Sequence, residues 1–144
     1  MHISTKLSVA IHCLILISEY GDEIKLTSEM MATSTGCNPV IIRNIVSSLK
    51  KADIVSVKSG TGGTTLNCSP KDIDLYKVCM VIEPDALKKL IGIHSMPSPL
   101  CPVGKNINAV LNSSYEQVQT DLKNSLASIT LDSIIANYHK ESEL

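Results

Sequence analysis

The sequence has no phenylalanine and no tryptophan, and its only aromatic side chains besides histidine are Tyr20, Tyr76, Tyr115 and Tyr138. Modules that stack unpaired bases on aromatic platforms, such as RRM, OB and cold-shock folds, need more than this. Long apolar runs are also missing. The longest, Val9 to Ile17, is interrupted by His12 and falls far short of a bilayer crossing, so no membrane partner is expected. The opening Met1-His2-Ile3-Ser4-Thr5 lacks a basic segment ahead of an apolar one, and the chain is therefore expected to be cytoplasmic. Paired cysteines are absent too: Cys13, Cys37, Cys68, Cys79 and Cys101 are odd in number and contain no C-x-x-C pair. In a reducing compartment that spacing argues against a disulfide framework. His2, His12, His94 and His139 are scattered away from paired thiols, so no metal site is expected.

What remains is a globular chain of 144 residues, 44% hydrophobic and 19% charged. That suffices for one domain with a sizeable core, or a small domain with an appendage. The net charge of −1 hides an uneven distribution. Between Gly36 and Lys71, Arg43, Lys50, Lys51, Lys58 and Lys71 face Asp53 alone, whereas beyond Val81 acidic residues outnumber basic ones. A basic middle and an acidic second half point to two jobs.

Apolar spacing predicts a first helix from Ser4 to about Tyr20, ended by Gly21. A short second helix follows Leu26, with Thr27 or Ser28 as its cap, and Thr33-Ser34-Thr35-Gly36 supplies a turn. A third helix opens on Asn38 and Pro39, with Ile41, Ile42, Ile45 and Leu49 as its buried stripe. Two extended runs, 54–58 and 64–68, flank a glycine-rich tip and read as a β-hairpin. A phosphate-binding loop is disfavoured there, because no G-K-[ST] follows and a strand comes next. A helix over 71–82, a proline-rich loop to Pro102, a long helix from Pro102 to Ser128 and a last helix capped by Thr130 complete the chain.

This order predicts a mainly α fold with a small β-hairpin: a winged helix-turn-helix over 1–83, then a loop and a helical dimerisation region over 84–144. Ala32 allows close helix approach, Gly36 makes the turn, and the isoleucines seat the third helix so that its other face is free. In this class that face enters the major groove. Arg43 suits guanine, Asn44 suits adenine, and Ser47 and Lys50 suit phosphate. Thr27, Ser28, Asn38, Pro39 and Val40 complete the helical contacts, and Lys58, Gly62, Gly63 and Thr64 form the wing. The competing reading of the helical residues is a solvated surface. The adjacent wing and the local positive charge favour double-stranded DNA.

Several stretches in the right order resemble the Rrf2 family of bacterial transcription regulators, which includes IscR, NsrR and CymR. They are Ser4-Thr5-Lys6-Leu7, Asn38-Pro39-Val40-Ile41-Ile42-Arg43, Leu49-Lys50-Lys51-Ala52-Asp53-Ile54-Val55, Gly60-Thr61-Gly62-Gly63-Thr64-Thr65-Leu66 and Cys101-Pro102-Val103-Gly104. The Asn-Pro-Val and Cys-Pro-Val-Gly runs are similar to the YwnA-like branch. The resemblance implies a homodimer held by the long helix, whose apolar stripe is Ile107, Val110, Leu111, Val118, Leu122 and Leu126. Such a dimer is expected to act as a repressor on a pseudo-palindromic operator. Cluster-binding relatives carry three cysteines before that helix, whereas this loop holds only Cys101, with His94 upstream. One thiolate cannot hold an iron–sulfur cluster by the usual ligation, so no cofactor is expected.

Cys101 and Cys37 each precede a helix start, where a thiolate is favoured, and are candidates for thiol-redox sensing. In the family the loop lies near the DNA-binding domain of the other subunit, which implies a possible Cys37–Cys101 bridge across the dimer. Position 37 also matches a buried helix-turn-helix slot, where a core thiol is the competing reading. No paired carboxylates and no Ser-His-Asp or Cys-His arrangement support an enzyme. The rivals are a winged-helix module that binds protein without DNA, and a regulator that answers a small molecule or a partner.

Overall fold

The computed structural model describes residues 3–58 and 63–143. Helix α1 (Thr5–Tyr20) opens on Ser4, whose hydroxyl accepts the Lys6 N–H. Helix α2 (Ser28–Thr35) opens on Thr27, whose hydroxyl accepts the Met30 N–H. It stops at Gly36, whose φ of 73° is left-handed, and the N–H groups of Gly36 and Cys37 both donate to the Ala32 carbonyl. Helix α3 (Pro39–Lys51) starts on the Asn38 side chain, which accepts the Val40 N–H at 2.8 Å. Its far end closes with Asp53 at a φ of 59°, as Asp53 N–H donates to Lys50 and Ile54 N–H to Leu49. That pattern satisfies the last carbonyls of α3 and turns the chain into the hairpin.

Strands β1 (Val55–Lys58) and β2 (Gly63–Leu66) pair antiparallel, with Val55 opposite Leu66 and Lys58 opposite Gly63. Pairing ends at Leu66, so Cys68 lies beyond the strand predicted to contain it. Gly62, assigned to the wing contact, lies outside the described residues.

The helix predicted over 71–82 is two elements. A 3₁₀ turn (Pro70–Asp72) gives way to an extended Ile73, and α4 (Leu75–Ile82) begins on the Asp74 side chain. Ile73 is buried and its carbonyl accepts the Leu131 N–H at 2.7 Å, while Leu75 N–H donates to Ile129. Asp74 and Thr130 form an isolated antiparallel bridge. Backbone groups that a continuous helix would use internally are instead spent on the chain's C-terminal part, a pairing invisible to local periodicity.

Helix α5 (Pro102–Ala127) and helix α6 (Leu131–Ser142) complete the fold, a winged helix-turn-helix with a long C-terminal helix. Leu14, Ile17, Met31, Ile42, Leu49, Ile54, Ile73 and Val78 are sealed in one core. Burying each such side chain contributes about 1.5–3 kcal/mol. Leu131 and Ile135 of α6 return to the same core. The α3 stripe differs from expectation at one residue. Ile41 is 41% exposed and Val46 is buried in its place, because Ile42, Ile45, Val46 and Leu49 share one arc of about 100° around the axis and Ile41 lies outside it.

Candidate DNA-binding surface

The buried arc of α3 fixes what the helix presents outward. Val40, Arg43, Asn44, Ser47 and Lys50 are all exposed, as the sequence predicts. Lys51, missed by that reading, is exposed near the centre of the same face, between the bearings of Val40 and Asn44. Its signal was available: 100° per residue places position 51 only about 20° from position 40. Arg43 is not free. Its Nη1 lies 3.3 Å from Oε1 of Glu29 on α2, an exposed ion pair.

The supporting residues are mostly engaged in local structure. Thr27 and Ser28 are half-buried at the start of α2, with the Thr27 hydroxyl occupied as the cap. Asn38 is exposed, and its side-chain oxygen is spent on the Val40 N–H. Pro39 is half-buried beside it. A bond of 2.9 Å between His12 Nε2 and Ser34 Oγ ties α1 to α2.

The wing divides at its base. Lys58 and Val57 are exposed, but Gly63 is buried and Thr64 is only 4% exposed. This corrects the assignment of Gly63 and Thr64 to the contact surface. A Cβ on Gly63 would sit 2.7 Å from the Leu26 backbone nitrogen, and its φ is 69°. The wing base is packed on the α1–α2 connection, so both residues anchor the hairpin rather than present it.

Helix α5 is covered unevenly. Val110 is 63% exposed, Val118 is also exposed, and Ile107, Leu111 and Leu122 are half-buried. Leu126, assigned with them to a dimer contact, is only 9% exposed. Its own chain already covers it, because the C-terminal end of α5 lies against α4, where the Lys123 ammonium sits 5.2 Å from the Tyr76 ring centroid. Leu100 and Val103, not assigned to the dimer contact from the sequence, are strongly exposed at the opposite end.

All five cysteines are free thiols. Cys101 is exposed at the start of α5, where the backbone N–H groups of Gly104 and Val103 hold its pKa below the ordinary thiol value. Burial pushes Cys13 up to about 11, with a smaller contribution from nearby Cys37. Cys79 is also raised, chiefly by burial and then by Glu83. Cys37 is half-buried in the turn before α3, where its N–H faces the Thr35 hydroxyl at 3.3 Å. Among the described residues, no three His, Cys, Asp or Glu side chains converge as a metal site, and no helix is long and apolar enough to cross a membrane.

The model of the Rrf2 family, described as an iron-dependent transcriptional regulator, matches residues 3–137. The chain is 41% identical over 133 residues to YwnA of Bacillus subtilis (strain 168), a protein named as an HTH-type transcriptional regulator. That match covers 92% of this chain and 96% of YwnA. A solved structure described as a DNA binding protein is 39% identical with a TM-score of 0.74, covering 90% of this chain and 98% of that one. CymR, the global cysteine regulator of B. subtilis, shares the fold at 20% identity and a TM-score of 0.70, with 94% and 97% covered.

Proposed function

The chain belongs to the Rrf2 family of transcriptional regulators, and from that premise we propose that it is a homodimeric repressor of a pseudo-palindromic operator. It is a DNA-binding regulator, not an enzyme. The observation that carries the DNA contact is the outward face of α3, where Arg43, Asn44, Ser47, Lys50 and Lys51 stand together over a sealed arc of aliphatics. Arg43 and Asn44 supply bidentate donors for base edges, and the lysines neutralise phosphates. Lys58 on β1 lies along the adjoining backbone as the wing contact.

Dimerisation is supported by α5, a helix about 39 Å long whose Val103, Val110 and Val118 are left uncovered by its own chain. Two copies packed through that helix place two recognition helices on half-sites about 10 bp, or a multiple of it, apart. The family's iron dependence does not extend to this chain's donor set. Its loop before α5 offers one thiolate, Cys101, and Cys13 and Cys79 are buried in the protein interior. An iron–sulfur cluster held by cysteines does not fit these residues. Cys101, exposed and with a lowered pKa, instead suits a thiol signal that releases DNA on oxidation.

The test is retention of the full-length protein on genomic duplex fragments across a salt series, together with its mass in solution. A dimer held specifically on one fragment class, with affinity falling steeply as salt rises, supports the reading. No retention at low salt overturns it in favour of a winged-helix module that binds protein.

A further inference from the structure

We propose that the first turn of α1 is a second backbone anchor, in which Lys6 neutralises a DNA phosphate on the strand opposite the one met by the start of α2. This rests on the docking of α3 proposed above. The outward strip of α3 has two flanks. On one, Arg43 leans against Glu29 of α2. On the other, Ile41, Asn44 and Ser48 border a crevice of about 120 Å³ whose remaining walls include Lys6 of α1 and Ile82 of α4. The first turns of α2 and α1 therefore bracket the recognition helix from opposite sides.

A helix about 10–12 Å across fills a major groove about 12 Å wide, so groups standing beside it meet the two bounding phosphate strands. Lys6 is exposed and makes no ion pair among the described residues. Its turn is fixed in place by Glu83, whose carboxylate accepts the Ser4 N–H at 3.1 Å. Glu83 takes the Ser4 N–H and the Ser4 hydroxyl takes the Lys6 N–H, which leaves the Lys6 ammonium as the group that meets phosphate. Ile41, exposed, and Ile82 line the same crevice as Lys6, so apolar surface stands beside the long aliphatic stem of that lysine.

The experiment measures affinity of the full-length protein for an operator fragment and for a scrambled duplex across a salt series, comparing wild type, Lys6→Ala and Lys6→Arg. Lys6→Ala is expected to weaken both duplexes about equally, by roughly 3–10-fold at low salt, and to lower the log–log salt slope by about 0.9 per subunit. Lys6→Arg is expected to retain both. Neutral methylphosphonates stepped along each strand are expected to cost wild type affinity at one phosphate beside Ile41 and Ser48, with no further cost in Lys6→Ala. Unchanged affinity and slope in Lys6→Ala, or a sensitive phosphate on the strand met by α2, overturns the anchor while leaving the α3 reading intact. A wild type that binds neither duplex overturns both.

Discussion

Arg43 and Glu29 are joined across the helix-turn-helix, with Nη1 of one 3.3 Å from Oε1 of the other. The side chain best suited to read guanine is thus held by a carboxylate from the preceding helix. An exposed pair of this kind contributes little stability, about 0–1 kcal/mol, so its consequence is orientation and competition. Binding a base edge requires the guanidinium to exchange a carboxylate for the guanine acceptors.

Arg43→Ala is therefore expected to weaken specific binding by about 1–3 kcal/mol and to relax the preference at one base pair of each half-site. Glu29→Gln is expected to strengthen binding to all duplexes, because it removes both the competitor and a negative charge beside the phosphates. Fluorescence anisotropy at matched salt reads both effects. A selected operator bound equally well by wild type and Arg43→Ala would falsify this role for Arg43.

Substitutions along α5 are expected to separate association from folding. Val110→Glu places a charge on a surface that its own chain leaves open, so it should yield a folded monomer in sedimentation, with near-normal thermal stability. Leu126→Ala removes a side chain already covered within one chain, and should cost about 2–4 kcal/mol in denaturant melts. If Val110→Glu remained a dimer, the interface would lie on another face.

Two glycines with left-handed backbone differ in what surrounds them. Gly36→Ala meets nothing within 4 Å, so only the φ of 73° is penalised, at about 1 kcal/mol. Gly63→Ala combines a φ of 69° with a clash 2.7 Å from Leu26 N, and should destabilise more and loosen the wing. Paired melts of the two variants check the order.

The thiols should titrate apart. Cys101 is expected to react first with iodoacetamide near neutral pH, since its lowered pKa gives more thiolate there than Cys13 or Cys79. Mild oxidant is expected to abolish DNA binding, with reductant restoring it, and Cys101→Ser should bind DNA normally yet ignore the oxidant. Mass spectrometry of labelled peptides and binding assays with and without oxidant decide this. Cys13 has the opposite shift, with its folded pKa raised from 9.0 to about 11. Its contribution to stability is fully present below about pH 9 and is lost as pH climbs towards 11, by roughly 1–3 kcal/mol. Cys13→Ala should flatten that alkaline decline in melts taken across the range.

The sequence by itself determined the elements whose instructions are local. Ser4, Thr27, Asn38 and Thr130 sit where a side-chain oxygen caps a helix, and each does so in the fold. The Asn38-Pro39 start and the aliphatic period of α3 were enough to expose Arg43, Asn44 and Ser47 together, because helical geometry alone relates those positions. Only tertiary structure decided the rest. The break at Ile73 exists because Leu131 takes its carbonyl, and the burial of Thr64 because the wing base packs on the α1–α2 connection. Leu126 left the open face of α5 because that end lies against α4. The Glu29 carboxylate beside Arg43 likewise comes from another helix. Each of these depends on a partner distant in sequence, and no local period or cap encodes which partner arrives.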